Sequence, residues 1–272
     1  MKTRIISGVV AVVILIAVLF LNNYWNPTAT ILLSIMAAIA AYEMLHNTGA
    51  VKNKVAVFGA MVYSFVVLYC YSGLLPISPA ILTTAYVLVI IGIALAKHRE
   101  FGPDAITMSL AMPFLISYAF SSLEQLLNGG SYGIFYLVLL INFSSIADTF
   151  AYFTGMAFGK HKLAPVISPK KTIEGAVGGM VGSIIGTVVI CLVFNAVYDF
   201  KTNMLALCLI TPFMVAVGIM GDLFTSAIKR TYGVKDYGKL MPGHGGILDR
   251  FDSVLLCAPV LALFLRYVEV FS

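Results

Sequence analysis

Short polar segments divide this chain into long apolar runs. Nine of the runs approach or exceed the roughly 17–25 residues that a helix needs to cross a bilayer. They lie at about 5–21, 28–45, 55–72, 79–96, 104–122, 132–157, 174–197, 203–227 and 253–271. The sixth run is long for one span, so we expect a tilted or broken helix there. The pattern predicts an all-α polytopic membrane protein with about nine transmembrane helices.

The first run has the outline of a secretory signal, because Lys2 and Arg4 precede it. It is, however, longer than the hydrophobic region of most signal peptides, and no small-x-small cleavage site clearly follows it. We therefore interpret it as a retained first helix.

Composition and charge support the membrane assignment. Hydrophobic residues make up 60% of the chain and charged residues 11%, against roughly 25% charged residues in a typical soluble domain. This composition excludes a soluble protein. Nine helices that begin inside place every Lys and Arg except Lys201 and Arg266 on the cytoplasmic side. The asymmetry follows the positive-inside rule, and it predicts a cytoplasmic N-terminus and a C-terminus outside.

Polar chemistry is concentrated in the second half of the chain. Residues 1–130 have short polar loops and almost no charge within the spans, and we interpret them as scaffold helices. Residues 131–272 contain several acidic residues at span ends and two long basic loops, 158–173 and 228–252, which we place in the cytoplasm. We therefore expect the functional region within 131–272.

Asp148 lies inside the sixth run, where an ionisable side chain is costly and marks a candidate functional site. Tyr152 follows at i+4 and shares its helix face. An interhelical hydrogen bond that only fixes packing is the alternative for Asp148.

Lys170 and Lys171 follow Pro169, close to a predicted helix start. Free backbone N–H groups and the helix dipole favour anions at such a start, so this is a candidate phosphate site. An ordinary basic loop next to anionic lipid is the alternative.

The helix that follows contains a stripe of small residues. Gly178, Gly182 and Gly186 recur every four residues on one face. Such a stripe allows close contact between membrane helices, so we predict a packing role for it.

Asp222 and Ser226, near the end of the eighth run, and Arg230, just after it, are spaced i, i+4 and i+8 and lie along one helix face. The carboxylate of Asp222 is expected near the cytoplasmic boundary of the membrane, where it needs a cation, a metal or water.

The segment 235–252 combines glycines and Pro242 with acidic and basic residues at one membrane face. Glycine permits the backbone to approach a ligand closely. Asp249 and Asp252 are spaced i, i+3 at the start of the last span, where acids are also ordinary helix caps. A ligand role and a capping role both remain open for Asp252.

Together these segments resemble the phosphatidate cytidylyltransferase (CDP-diacylglycerol synthase) family. The family signature S-x-x-K-R-x4-K-D-x-G-x2-[LM]-P-G-H-G-G-x-L-D-R-x-D can be read through 226–252, and the segments 148–155 and 168–175 also match the family. The resemblance implies a multispanning α-helical fold, a homodimer and a cytoplasm-facing polar cavity. It also implies dependence on Mg2+, with a second cation left open, bound by Asp222 and Asp249.

On this resemblance we assign roles as hypotheses. Asp222 and Asp249 bind Mg2+, while Asp148 and Asp252 support the cation site or bind water. The basic side chains that contact phosphates are Lys170, Lys171, Lys229, Arg230, Lys235 and Arg250. The residues that position CTP are Ser226, His244, Gly245 and Gly246.

The implied reaction joins phosphatidate to CTP and gives CDP-diacylglycerol and pyrophosphate, a step of phospholipid biosynthesis. The nucleophile is the phosphate monoester of phosphatidate, whose second pKa is about 6, so no strong general base is required. Cations screen the two anions and orient an in-line attack on the α-phosphorus. The expected partners are CTP, phosphatidate and membrane lipids, without nucleic acid, and the expected location is the cell inner membrane.

Other functions share part of this pattern. A cytidylyltransferase or CTP-dependent kinase for another membrane lipid needs similar residues. A membrane transporter also contains buried acids, but here the polar residues cluster at one membrane face and do not follow a path through the bilayer.

Overall fold

The computed structural model of the chain describes residues 13, 17, 20–22, 24, 25, 27–99, 101–198, 201–241, 243 and 245–271. Most of the first predicted helix, at 5–21, therefore lies outside the described residues, as do Lys2 and Arg4. The number of nine helices and the sides on which the termini lie stay predictions.

The described part of the chain is overwhelmingly helical. Seven of its helical segments are long and apolar enough to cross a membrane, and a shorter apolar helix follows them. In chain order the α-helices are α1 Pro27–Tyr42, α2 Lys54–Tyr71, α3 Pro79–Ala96, α4 Pro103–Leu127, α5 Gly133–Ile141, α6 Ala147–Phe158, α7 Ile173–Tyr198, α8 Met204–Thr231, α9 Leu248–Phe251 and α10 Val254–Tyr267. Each predicted run from the second to the ninth overlaps these helices, the sixth with both α5 and α6 and the ninth with the shorter α10, which confirms the all-α polytopic fold.

The sixth run is broken, as expected. A 3₁₀ turn at Gly130–Tyr132 precedes α5, and a π-helical segment, Asn142–Ile146, separates α5 from α6. A second π-helical segment, Glu43–Asn47, continues α1. A π-turn widens the helix locally and changes the direction in which the following side chains point.

The segment predicted as the loop 158–173 contains a small antiparallel hairpin. Strand β1, Lys162–Ala164, pairs with strand β2, Ser168–Thr172, with Lys162 opposite Thr172. Pro169 lies within β2, and α7 begins directly after this strand. The sequence reasoning missed the hairpin because three- and five-residue strands rich in lysine give no period-two hydrophobic signal.

The contacts of the chain divide it into two compact units. The first is Met1–Glu124 with Lys229–Phe251, and the second is Gln125–Ile228 with Asp252–Ser272. This division reflects packing contacts alone. That residues 1–130 form scaffold helices and residues 131–272 contain the functional region stays a prediction.

In the second unit, α7 packs closely along α6 through the small-residue stripe. A methyl group added at Gly178 would collide with Thr154, and one at Gly182 would collide with the ring of Phe150. At Gly186 it would collide with the side-chain oxygen of Asn142. The predicted packing role of the stripe is therefore confirmed.

Buried polar side chains link the helices of the second unit. Asn142 Nδ2 donates to the carbonyl of Ser183 at 2.9 Å and to Thr187 Oγ1 at 3.0 Å. Thr187 in turn shares a 2.9 Å hydrogen bond with Thr211 of α8. Interhelical hydrogen bonds of this kind help to hold membrane helices together.

In the first unit, α1 packs on α2 and α2 packs on α3. Two buried polar residues join α1 to α4, where Thr30 Oγ1 donates to Glu124 Oε1 at 2.8 Å. Helix α3 buries Tyr86 and Ile90 and exposes most of its other apolar side chains. Such a surface is expected of a helix that faces lipid.

Candidate functional site

Two acids and a lysine converge in the second unit. Lys171 Nζ lies 2.6 Å from Asp222 Oδ2 and 3.9 Å from Asp148 Oδ1. The three residues come from β2, α8 and α6. We call them the Asp148–Lys171–Asp222 cluster. The side chains of Lys171 and Asp222 are 23% and 20% exposed, so this ion pair is shielded from water more than a surface pair is.

The local fold explains how Lys171 reaches the two acids. Thr172 ends β2, and its hydroxyl accepts a 3.1 Å hydrogen bond from Gly175 N in the first turn of α7. This is an N-cap, which fixes where the helix begins. The close approach of the end of β2 to α6 depends on Gly155, because a side chain there would collide with Thr172 Oγ1. Lys171 is therefore held between a strand end and a capped helix.

A cavity of about 580 Å³ opens beside the cluster. Its charged lining consists of Asp148, Lys162, Lys170, Lys171 and Asp222. Its apolar lining includes Ala151, Met156, Leu163, Ala176 and Ile219. The predicted pairing of Asp148 and Tyr152 on one helix face is confirmed, because both line this cavity. A cavity with both kinds of lining suits a ligand that combines phosphate groups with apolar chains.

The cluster contains ligands that suit a hard cation. Within the described part of the chain, no three His, Cys, Asp or Glu side chains form a ready-made metal site. Mg2+, however, is usually bound by one or two carboxylates together with substrate phosphates. Asp148 and Asp222 already share one positive charge, the Lys171 ammonium. When both are ionised, the two carboxylates carry one negative charge more than this ammonium neutralises, which suits Mg2+, and the nearby lysines suit the phosphates.

A second acid–lysine pair lies in the first unit, where Lys229 in the last turn of α8 meets Asp249. Asp249 ends the segment 237–249, which we call the glycine loop. Lys229 Nζ donates to Asp249 Oδ1 at 3.0 Å and lies 5.1 Å from the centre of the Tyr237 ring. Asp249 Oδ2 accepts from Tyr237 N at 2.8 Å and from Gly246 N at 2.9 Å. Asp249 therefore fixes the course of the glycine loop, and its Oδ1 faces a cation.

The other predicted site residues have varied surroundings. Arg230, Lys235 and Arg250 are exposed residues of the first unit. Ser226 is half-buried in α8 and is not among the described residues that line the cavity. Asp252 Oδ1 accepts from Ser253 N at 2.8 Å, between α9 and α10.

Three more predictions concern two loop residues, Gly245 and His244, and the two proposed metal ligands, Asp222 and Asp249. Gly245 has a positive φ of 86°, which a side chain rarely tolerates. His244 lies outside the described residues. The roles of Asp222 and Asp249 as Mg2+ ligands stay predictions.

Sequence reasoning missed two residues of these sites. Lys162 lines the cavity, but it looked like one of several lysines in a basic loop. Glu43 is 2% exposed and accepts hydrogen bonds from the glycine loop. Its signal was present in the sequence, because a lone carboxylate inside an apolar run is a candidate functional residue by default.

Comparison with known proteins gives the same family over almost the whole chain. The model of the Cytidylyltransferase family matches residues 2–268. The phosphatidate cytidylyltransferase of Staphylococcus haemolyticus is 32% identical over 97% of this chain and 99% of its own length. That of Bacillus subtilis is 32% identical over 97% of each chain. That of Thermotoga maritima is 40% identical over 48% of this chain and 49% of its own.

Proposed function

The chain belongs to the cytidylyltransferase family, and from this premise we infer that it transfers the cytidylyl group of CTP to phosphatidate. The products are CDP-diacylglycerol and pyrophosphate, so the chain is a nucleotidyltransferase of phospholipid biosynthesis. It is a multi-pass membrane protein. The structural observation that supports the proposal is a cavity in the second unit. It combines the Asp148–Lys171–Asp222 cluster with an apolar lining.

The chemistry of the cavity suits a lipid phosphate. Phosphatidate carries a phosphate monoester next to two acyl chains, and the cavity offers Lys162, Lys170 and Lys171 next to apolar side chains. Lysine ammonium groups attract phosphate as point charges. The apolar wall lets the acyl chains stay in the bilayer while the headgroup reaches the polar wall.

We assign the chemical step as an in-line displacement. An oxygen of the phosphatidate phosphate forms a bond to the α-phosphorus of CTP, while the bond between that phosphorus and the leaving pyrophosphate breaks. The monoester is mostly ionised at neutral pH, since its second pKa is about 6. No protein base is therefore needed. The lysines lower the repulsion between the two anions and hold them in line.

Mg2+ is the cofactor that we propose, with Asp222 and Asp249 as its ligands and Asp148 and Asp252 in support. When bound, it would neutralise phosphate charge that develops on the leaving group. Each proposed ligand acid already has a lysine ammonium at ion-pair distance, 2.6 Å at Asp222 and 3.0 Å at Asp249. Both carboxylates thus already bind a cation, and Mg2+ would have to displace or join that ammonium.

The remaining proposals follow the family resemblance and the charge pattern. Ser226, His244, Gly245 and Gly246 position CTP. Further phosphate contacts come from Lys229, Arg230, Lys235 and Arg250. The active site faces the cytoplasm from the inner membrane, and the chain acts as a homodimer.

The test uses CTP labelled at one of two phosphates. Purified protein in detergent is incubated with phosphatidate, Mg2+ and either α- or γ-labelled CTP, and label is followed into chloroform-extractable lipid. We expect α-label in the lipid and γ-label in pyrophosphate, with dependence on both phosphatidate and Mg2+. γ-Label in the lipid would identify a CTP-dependent kinase. No lipid label from folded protein would overturn the proposal and direct attention to other lipid phosphates.

A further inference from the structure

A buried carboxylate near the start of the chain binds the glycine loop. Glu43 Oε1 accepts from Ile247 N at 3.1 Å, and Glu43 Oε2 accepts from Leu248 N at 2.9 Å. These partners lie 204 and 205 positions later in the chain. The side chain of Glu43 is not part of the mechanism described above, and the family signature at 226–252 does not include it.

The burial of Glu43 makes its hydrogen bonds to the glycine loop important for stability. Glu43 is 2% exposed and lies in the π-helical segment that continues a candidate membrane helix. A carboxylate without partners is costly in such a place. Hydrogen bonds from backbone N–H groups to an ionised acceptor are about twice as strong as neutral ones. The carboxylate and the two N–H groups therefore stabilise each other.

The glycine loop is shaped to admit this carboxylate. A methyl group added at Gly238 would collide with Glu43 Oε1, and one at Gly246 would collide with both carboxylate oxygens. Neither glycine has a positive φ. Their lack of a side chain is thus required by the close approach of Glu43 and not by backbone conformation.

Asn47 holds the other end of the same loop. Its Nδ2 donates to the carbonyl of Tyr237 at 2.8 Å. Glu43 and Asn47 are the first and last residues of the π-helical segment, and its wide turn brings both side chains to the loop. We call this pair of residues the clasp.

The clasp and Asp249 bind neighbouring groups. Asp249 Oδ2 accepts from Tyr237 N and Gly246 N, while the clasp contacts Tyr237 O and the N–H groups of Ile247 and Leu248. Movement of the loop away from the clasp would therefore shift the two N–H groups that fix Asp249. The position of Asp249 also sets the position of Lys229, its ion-pair partner.

We propose that Glu43 and Asn47 are positioning residues for cytidylyl transfer, which hold the glycine loop so that Asp249 and Lys229 are in place for CTP. The proposal rests on the proposed function for the role of the loop in CTP binding. It assigns a function to a helix that the sequence pattern indicated as scaffold. Neither residue touches the reacting atoms in this scheme, and both act through the loop.

The test compares Glu43→Gln with Glu124→Gln. Both residues are buried carboxylates of the first unit at 2% exposure, but Glu124 accepts from Thr30. In Glu43→Gln an amide donor replaces one acceptor and faces a backbone N–H. We expect kcat/KM for CTP to fall by about tenfold to a hundredfold, because small displacements of catalytic groups have effects of this size. The KM for phosphatidate should change little, and Glu43→Asp should recover part of the loss.

Two further measurements separate positioning from stability. Amide hydrogen exchange without substrate should be faster at Gly246, Ile247 and Leu248 in Glu43→Gln, and unchanged there in Glu124→Gln. If Glu43→Gln does not fold, Asn47→Ala removes the contact to Tyr237 O and should raise the KM for CTP alone.

Two kinetic results would overturn the proposed role of the clasp. One is wild-type kinetics in the Glu43 and Asn47 variants, and the other is a kinetic loss equal to that of Glu124→Gln. Exchange at Gly246, Ile247 and Leu248 that is as slow in a folded Glu43→Gln variant as in the wild type would also overturn it. A wild-type protein without transferase activity would instead overturn the proposed function, and the exchange data would still decide whether the clasp holds the loop.

Discussion

The ammonium of Lys171 lies 2.6 Å from a carboxylate oxygen of Asp222, and Asp148 approaches the same ammonium from a third element. Separate parts of the second unit thus bring one basic and two acidic groups to the lining of one cavity. Because each acid shares the lysine, removal of any one member changes the charge that the other two experience. Single substitutions in the cluster are therefore a sensitive test of the mechanism.

Asp222→Asn should lower cytidylyl transfer by about a hundredfold or more, since removal of one preorganised charge from a reacting site commonly has this effect. The rate of lipid labelling is measured across a range of Mg2+ concentrations. The matched control is Asp104→Asn, because Asp104 is an exposed acid in the first turn of α4. Equal activity in the two variants would remove Asp222 from the proposed site.

Two substitutions at Asp249 separate its chemical role from its structural role. Asp249→Asn keeps an oxygen that can accept from Tyr237 N and Gly246 N, so we expect a folded protein without turnover. Asp249→Ala leaves both N–H groups unpaired, at about 1–3 kcal/mol each, and should also lower the melting temperature in detergent. Turnover by Asp249→Asn would exclude Asp249 as a required Mg2+ ligand.

Lys162→Met should raise the KM for phosphatidate by about tenfold, because a hydrogen bond to a charged group contributes about 1.5 kcal/mol or more. Both lysines are exposed, but Lys162 lines the cavity and Lys160 is not among the described cavity-lining residues. Lys160→Met is therefore the control, with little change expected. The KM values are obtained from lipid labelling in mixed micelles. An equal rise in this KM in both variants would indicate that it depends on surface charge in general and not on the position of Lys162 in the cavity.

Gly182→Ala should destabilise the protein by about 1–3 kcal/mol, the usual cost of overpacking. The added methyl group collides with the Phe150 ring in the contact between α6 and α7. Gly92→Ala in α3 is the control, because the space beside Gly92 is open; there we expect a slight gain in stability of up to about 1 kcal/mol. Thermal unfolding in detergent measures both. A neutral Gly182→Ala would show that the two helices can separate slightly at no cost.

Much of the fold could be predicted from the sequence, because its strongest signals are local. The length of an apolar run decides whether a helix can span the bilayer, and the second to ninth runs were located correctly for this reason. The spacing of Gly178, Gly182 and Gly186 also sufficed to predict a packing face. The residues of 226–252 sufficed to indicate the family, which the comparisons bear out.

Contacts between distant residues could be decided only by the tertiary structure. The spacing of Asp148, Lys171 and Asp222 along the chain contains no information about the 2.6 Å contact, because three separate elements create it. Glu43 was visible as one acid in an apolar run, but its partners are backbone N–H groups, which every residue except proline has. The sequence by itself therefore determined which segments enter the membrane and which family the chain resembles. The packing of those segments decided which charges meet, since a buried charge is stable only where its partners are brought to it.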